Sequence, residues 1–345
     1  MLHPFVCALF LVGLSAAWGS ELTILAVTGR TLENNPLGDP TIRRVAIIAP
    51  DRAAPDRSLP LVVYLPGWGG SPDEVISGGP RSIPALVVQR MADAGLPLRF
   101  AVVDGRSRYG GSQFLNSTAT GNYADYVVAD VISTVEKKYP TAEGRRLISG
   151  HSSGGYGALM LAMNRKDVFH GVVALSPDSD FETTHKPIVQ ESTVRAVKPA
   201  DLDAAMAPAG KWHPASDQTA QLVMGLCANY TPTRDQPGRF DWLYNERGEW
   251  REDVWQRWIA FDPLTAVKRD SKAFTASYPV YLDGAQFDEF GANIGARHIY
   301  DVLKTRSQTV SFYEAPGHHS DHLPERLERG LRWVLSSLGP SKPSK

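Results

Sequence analysis

Short apolar runs alternate along the chain with segments in which an apolar residue recurs every four positions. Seven runs have the length and residue types of β-strands and are bounded by proline, glycine or polar residues. These runs cover residues 44–49, 61–65, 100–103, 146–149, 172–175, 280–282 and 310–313. The helical pattern is carried by Val127, Val131, Val135 and Tyr139, and again by Leu323, Leu327, Leu331 and Leu335. This alternation predicts an α/β fold, with a mainly parallel sheet covered by helices on both faces.

One long segment, residues 178–262, interrupts the alternation and has no clear strand period. It contains five of the eight tryptophans, namely Trp212, Trp242, Trp250, Trp255 and Trp258. Insertions of this kind between sheet elements often cover an active site, so we predict a Trp-rich cap that lines a pocket. The alternative is that the tryptophans only pack the insertion against the body. Residues 20–340 are predicted to form one catalytic domain, and residues 341–345 a frayed tail.

The N-terminus has the pattern of a targeting segment. An apolar run at residues 5–14 is too short to cross a bilayer comfortably, and small residues follow at Ala17 and Gly19. This pattern predicts a signal peptide, residues 1–19, cleaved near Ser20, and a secreted or periplasmic protein. An uncleaved anchor is the alternative. No later run reaches 18 apolar residues, so we expect no membrane span in the mature chain.

Charge and cysteine content narrow the function classes. The 36 basic and 37 acidic residues give a net charge of −1. Without an excess of positive charge to hold a phosphate backbone, nucleic-acid binding is disfavoured. One of the two cysteines, Cys7, lies in the predicted signal peptide, which leaves Cys227 without an intramolecular disulfide partner. A buried structural role for Cys227 is favoured over a reactive thiol.

A nucleophile motif follows the fourth predicted strand. Gly150-His151-Ser152-Ser153-Gly154 fits the pattern G-x-S-x-G, entered by a strand and followed by a helix-like run. This order is typical of the strained strand-to-helix turn that exposes a nucleophilic serine, here Ser152. The glycines remove side chains that would clash in the turn, and the helix N-terminus offers free N–H groups to an oxyanion. The alternative is a glycine-rich turn without chemistry.

These residues resemble the elbow of the esterase D-like family of α/β-hydrolases. That family includes S-formylglutathione hydrolases, feruloyl esterases, enterochelin esterase-like proteins and mycolyltransferases. The similarity is carried by residues 150–159 (GHSSGGYGAL), 65–71 (LPGWGGS), 111–117 (GSQFLNS), 121–123 (GNY), 288–290 (DEF) and 316–319 (PGHH). It covers most of residues 40–335, but not the insertion. The resemblance implies an α/β-hydrolase fold and a serine esterase.

The resemblance also implies a base and an acid for the serine. In this fold the chain order is serine, acid, histidine. The family pattern Pro-Gly-x-His selects His319 as the base, with the neighbouring His318 and His322 as alternatives. The family places its acid in the Asp-Glu-Phe segment, which selects Asp288. Other candidates for the acid are Glu289, Asp283, Asp178 and Asp180.

Two backbone amides are expected to bind the oxyanion. One belongs to Ser153, the residue after the nucleophile, and the other to the loop after the second predicted strand. Family members carry His-Gly-x-Gly-Gly in that loop, where this chain has proline in place of histidine at Pro66. By position the donor is the N–H of Trp68, with Gly67 as the second choice. The Trp68 side chain either walls the acyl pocket or packs.

No sequence motif for a metal or cofactor is present, so none is expected. The cluster of His318, His319, Asp321 and His322 is explained better by the triad than by metal binding. The leading hypothesis is an exported serine esterase that hydrolyses a small-molecule carboxylic ester through an acyl-enzyme on Ser152. The alternatives are an acyltransferase with the same triad and a non-catalytic binding module. The sequence leaves the substrate's two parts and the oligomeric state open.

Overall fold

The computed structural model describes residues 19–51, 53–207, 218–306 and 308–340. Residues 1–18 of the predicted signal peptide, the predicted tail and Trp212 lie outside the described residues. The strands in the described part are β1 (Ser20–Thr28), β2 (Ile42–Pro50), β3 (Leu59–Leu65), β4 (Arg99–Val103), β5 (Asn116–Ser117), β6 (Gly121–Asn122), β7 (Thr141–His151), β8 (Gly171–Leu175), β9 (Val280–Ala285) and β10 (Val310–Ala315).

The α-helices are α1 (Pro72–Gly78), α2 (Ile83–Asp93), α3 (Tyr123–Asp125), α4 (Ile132–Lys138), α5 (Ser153–Asn164), α6 (Phe181–Thr184), α7 (Lys186–Val189), α8 (Ser192–Arg195), α9 (Pro199–Met206), α10 (Gln218–Tyr230), α11 (Glu252–Ile259), α12 (Pro263–Arg269), α13 (Ala292–Thr305) and α14 (Leu323–Ser337). Short 3₁₀ turns lie at Arg30–Leu32 and Gly79–Arg81, and a π-helix at Tyr126–Val131 joins α3 to α4. None of the helices in the described residues is long and apolar enough to cross a membrane.

The main sheet has eight strands in the order β1-β2-β4-β3-β7-β8-β9-β10. β2 runs antiparallel to both neighbours, whereas the pairs from β4 to β10 are all parallel. All seven predicted runs fall within strands of this sheet. The predicted α/β-hydrolase fold is therefore confirmed, with the antiparallel edge strand β1 added to it.

Alternate residues of each central strand face opposite sides of the sheet, and each side has its own apolar core. In β3, Leu61, Val63 and Leu65 belong to the core shared with α5 and α13. Val62 and Tyr64 belong to the core shared with α2 and α14. Because side chains alternate across a strand, a continuous apolar run is what burial on both faces requires. The helices lie on both faces, as predicted.

Capping residues determine where α1 and α12 begin. Ser71 accepts a hydrogen bond from the Asp73 amide at 3.2 Å, and proline occupies the first position of α1. Asp262 caps α12 in the same way, accepting from the Leu264 and Thr265 amides. These caps satisfy amides that have no partner within their own helix.

The described part of the insertion combines helices with an irregular segment between α10 and α11. It contains α6 to α11 and contributes no strand to the main sheet within the described residues. Trp242, Trp255 and Trp258 are buried, and the Trp255 and Trp258 rings lie 5.7 Å apart. Trp250 packs between Tyr244 and Trp255. These rings form the core of the insertion.

Candidate active site

Ser152 lies at the junction of β7 and α5 in a conformation that non-glycine residues rarely adopt. Its φ is 57° and its ψ is −125°. Its amide donates to the Leu175 carbonyl at 3.0 Å and its carbonyl accepts from the Tyr156 amide at 2.9 Å. These two bonds hold the strained turn at the end of the central strands, as expected of an exposed nucleophile.

The two motif glycines are required by close backbone contacts. A Cβ at Gly154 would lie 1.9 Å from the Leu65 carbonyl oxygen, and one at Gly150 would lie 2.3 Å from the Gly154 carbonyl. Both distances are far below van der Waals contact. The motif therefore permits β3, β7 and α5 to meet at Ser152.

His319 and Asp288 lie together beside this turn. Nδ1 of His319 is 2.7 Å from Oδ2 of Asp288, and both side chains are buried. An ionised carboxylate only accepts hydrogen bonds, so Nδ1 carries the proton and Nε2 is left as the basic nitrogen. Nε2 is buried without a hydrogen-bond partner in the described residues. His319 lines the same cavity as Ser152.

Asp288 is held as an anion. Its Oδ1 accepts from the amides of Phe290 at 3.1 Å and Ala292 at 3.3 Å. Burial by itself raises the pKa of Asp288, but the hydrogen bond and the charge of His319 outweigh it, so the pKa lies below its ordinary value. Asp288 can therefore orient His319 and stabilise its protonated form.

The alternative bases and acids occupy other places. His318 and His322 are exposed. Glu289 accepts from the backbone amide of His319 at 3.1 Å, so it does not bond the ring. Asp283 pairs with Arg326 instead.

The two acid candidates after β8 also have other partners. Asp180 lies 2.7 Å from Nδ1 of His298. Asp178 accepts from the Ser153 hydroxyl at 3.0 Å and from Gln113 at 3.2 Å. Neither carboxylate makes a contact with His319 within the described residues.

Sequence reasoning missed Arg326, which supports the His319 loop. Nη1 of Arg326 donates to the His319 carbonyl at 3.0 Å, and Nη2 donates to the Ser176 hydroxyl at 2.7 Å. His151 adds a second support, because its Nε2 lies 3.1 Å from the same carbonyl. The sequence could have indicated that Arg326 is buried, because it directly precedes Leu327 on the buried face of α14.

The loop after β3, which is expected to carry one oxyanion donor, lies beside Ser152. A Cβ at Gly67 would be 3.6 Å from the Ser152 Cβ. The turn is closed by a 2.9 Å hydrogen bond from the Gly70 amide to the Gly67 carbonyl. Within the described chain, the amides of Trp68 and Ser153 donate to no protein acceptor. Two unengaged N–H groups near a nucleophile suit a developing oxyanion.

The Trp68 side chain packs against three glycines and lines cavities at Ser152. Its ring packs against Gly110, Gly111 and Gly225, where a Cβ would come within 2.8 Å of it. It also lines two cavities that meet at Ser152. Trp68 thus contributes to the walls of both cavities, and the glycines give its ring room.

The first of these, the insertion cavity, has a volume of about 450 Å³. It is lined by Ser152, Trp68 and several insertion residues, including Ile188, Leu222 and Leu226. None of the described tryptophans of the insertion lines it. The insertion therefore does wall a pocket at Ser152, while its described tryptophans pack internally.

The second, the His319 cavity, has a volume of about 540 Å³. It is lined by His319, Ser152, Glu74, Arg81 and Ser82, among others. Ser152, Trp68 and Phe290 are shared by both cavities. Ser152 is therefore reached from two sides.

Other candidates for chemistry lie apart from the site. Cys227 is buried, and burial raises the pKa of its thiol. A buried neutral thiol packs as a small apolar side chain. Among the described residues, no group of three or more His, Cys, Asp or Glu side chains could hold a metal ion.

Comparisons with known proteins show the family and the fold of this chain. The model of the family described as "Putative esterase" matches residues 42–322. An S-formylglutathione hydrolase from Agrobacterium tumefaciens superposes with a TM-score of 0.61 and 16% identity, covering 95% of this chain and 99% of that one. A ferulic acid esterase gives 0.58 and 15%, covering 94% and 100%. FphF, a fluorophosphonate-binding serine hydrolase of Staphylococcus aureus, gives 0.56 and 15%, covering 92% and 98%.

Proposed function

This chain belongs to the family described as "Putative esterase", and from that premise we propose that it hydrolyses carboxylic esters through an acyl-enzyme on Ser152. The family predicted from the sequence motifs is confirmed, and membership makes the protein a carboxylic ester hydrolase. The observation that carries the acyl-enzyme proposal is the pairing of His319 with Asp288 at 2.7 Å, beside a strained Ser152.

The proposed chemistry has two halves. His319 Nε2 takes the Ser152 proton while Oγ attacks the ester carbonyl, and the amides of Trp68 and Ser153 hold the resulting oxyanion. His319 then protonates the departing alcohol, which leaves an acyl group on Ser152. Water, deprotonated by the same nitrogen, releases the acid. Asp288 stabilises the positive charge on His319 in both halves.

Mass spectrometry of acid-quenched reactions tests this proposal. With p-nitrophenyl and ethyl esters of one acid, the enzyme should gain the mass of the acyl group only, whichever alcohol departs. The adduct should be absent from Ser152→Ala. Turnover by Ser152→Ala near the wild-type rate would contradict the proposal. A wider panel of p-nitrophenyl and hydroxycinnamoyl esters then identifies the preferred acyl group.

We also propose that the protein is exported. The support is the apolar run at residues 5–14 followed by Ala17 and Gly19. A cut after Gly19 would leave all of β1, which begins at Ser20, in the mature chain. N-terminal sequencing of protein recovered from its host should start near Ser20. Full-length chain recovered from the cytoplasm would contradict export.

A further inference from the structure

We infer that the two cavities divide the ester between them: the insertion cavity takes a neutral, apolar acyl group, and the His319 cavity takes a polar, hydroxyl-bearing alcohol. This inference rests on the proposed acyl-enzyme mechanism. The two cavities meet at Ser152, so a substrate bound there has one branch on each side of the reacting carbon.

His319 decides which branch lies on which side. In the first half-reaction, the bond from Ser152 Oγ to the carbonyl carbon forms and the bond from that carbon to the alcohol oxygen breaks. The proton removed from Ser152 passes through His319 to that oxygen. The alcohol must therefore lie where His319 can reach it, and His319 lines only the second cavity. The acyl group is left to the insertion cavity.

The walls of the insertion cavity favour an uncharged acyl group. Ile188, Leu222 and Leu226 contribute apolar surface. The ionisable groups that line it in the described residues are Tyr109, Asp178 and His185. Burial raises the pKa of Tyr109 and lowers the pKa of His185, so both rings are neutral at neutral pH. Among the described residues that line this cavity there is no cation to balance a second carboxylate in the substrate, and Asp178 would repel one. The volume suits an acyl group of several carbons.

The His319 cavity offers hydrogen-bonding groups instead. The Glu74 carboxylate and the Arg81 guanidinium both line it, and both residues are exposed. Neither forms an ion pair with another described residue. A carboxylate that only accepts and a guanidinium that only donates together suit hydroxyl groups, which can do both. An alcohol with several hydroxyls would engage both side chains.

The acyl assignment is tested with p-nitrophenyl esters from acetate to octanoate. Leu222→Trp should shorten the preferred chain, lowering kcat/KM for octanoate relative to acetate by about tenfold or more. Leu222→Ala should move the preference toward longer chains, so a folding defect in the first variant leaves the test intact. If the chain-length preference changes in Glu74→Gln or Arg81→Ala and not in the Leu222 variants, the acyl assignment is overturned.

The alcohol assignment is tested with butanoate esters of ethanol and glycerol. Glu74→Gln and Arg81→Ala should each lower the glyceryl-to-ethyl ratio of kcat/KM by about tenfold, because a hydrogen bond to a charged group is lost. Glu246→Gln, an exposed change in the insertion, is the matched control and should leave the ratio unchanged. An unchanged ratio in both cavity variants would overturn the inference.

Different results would contradict the acyl-enzyme mechanism and the division of the two cavities. If quenched samples carry no acyl group on Ser152, the proposed mechanism fails. If the adduct forms but Leu222 variants change the alcohol ratio and not the chain-length preference, only the division of the cavities fails.

Discussion

Asp283 and Arg326 form a two-pronged ion pair at 2.8 and 2.9 Å, completely buried between β9 and α14. The same guanidinium donates to the carbonyls of His319 and Asp321. One cation thus connects the strand that leads to Asp288 with the loop that carries His319. The relative position of Asp288 and His319 therefore depends on Arg326.

Breaking this pair should destabilise the fold. Arg326→Met leaves the buried Asp283 carboxylate uncompensated, and we expect a loss of about 3–5 kcal/mol in the free energy of unfolding. Arg332→Met is the matched control on the same helix, because Arg332 pairs with Glu328 near the surface. It should cost less than about 1 kcal/mol. Urea denaturation compares the two variants, and equal losses would contradict the structural role of Arg326.

The carboxylate of Asp288 should matter for the rate and little for the fold. Asp288→Asn keeps an oxygen for the Phe290 and Ala292 amides but cannot hold His319 in the required tautomer. We expect kcat to fall on the order of 10³- to 10⁴-fold with the melting temperature nearly unchanged. Steady-state kinetics with a p-nitrophenyl ester measures this.

Substitution of each neighbouring histidine tests whether His319 is the base. His319→Ala should lower kcat on the order of 10³-fold or more, whereas His318→Ala and His322→Ala should keep most activity. A dead His318→Ala enzyme beside an active His319→Ala enzyme would show that the neighbouring ring is the base.

His151 should make the fold sensitive to acid. Burial is the main cause that lowers its pKa from the ordinary 6.5 to about 3, helped by the charges of His319 and Arg326. Between pH 6.5 and pH 3, His151 is protonated in the unfolded chain but neutral in the folded protein. The free energy of unfolding therefore falls as the pH falls from 6.5 toward 3. One such group contributes a slope of up to about 1.4 kcal/mol per pH unit.

Denaturation curves at pH 4 to 7 measure that slope. His151→Gln keeps a donor for the His319 carbonyl but does not titrate, so its slope should be smaller than that of the wild type. Equal slopes for the two proteins would show that His151 is not the acid-sensitive group.

Substitution of Gly154 should lower the free energy of unfolding far more than substitution of the nearby Gly67. Gly154→Ala places a methyl group against the Leu65 backbone, which cannot give way, and we expect a loss of at least about 3 kcal/mol or an insoluble protein. Gly67→Ala should stay within about 1 kcal/mol of wild type, because its Cβ meets only ordinary contacts of 3.5 Å or more. Thermal melts of both variants check this, and a stable Gly154→Ala protein would contradict the packing.

Continuous apolar runs made most of the sheet predictable. β3, β4 and β8 are buried on both faces, so their sequences stand out from their surroundings. β1 was missed because exposed and buried positions are interspersed along it and it pairs only at the sheet edge. The repeat from Val127 to Tyr139 predicted a helix, but a π-helical turn underlies its first part.

The site could be predicted from the residues alone only where its geometry depends on residues that are close in sequence. The turn at Ser152 requires glycines at positions 150 and 154. Because these positions are close in sequence, the G-x-S-x-G motif predicts the turn. The contact between His319 and Asp288 spans 31 positions, and residue order alone left three histidines open. The resemblance chose between them. The bond from Arg326 to Ser176 spans 150 positions and has no local motif.

Fluorophosphonate labelling tests whether Ser152 is an activated nucleophile. The reagent needs the same activated hydroxyl and the same oxyanion donors as an ester. Intact-mass analysis should show one label per chain, located to Ser152 by peptide mapping, with labelling abolished in Ser152→Ala and retained in Ser153→Ala. Labelling that persists in Ser152→Ala, or that maps to Ser153, would contradict the account.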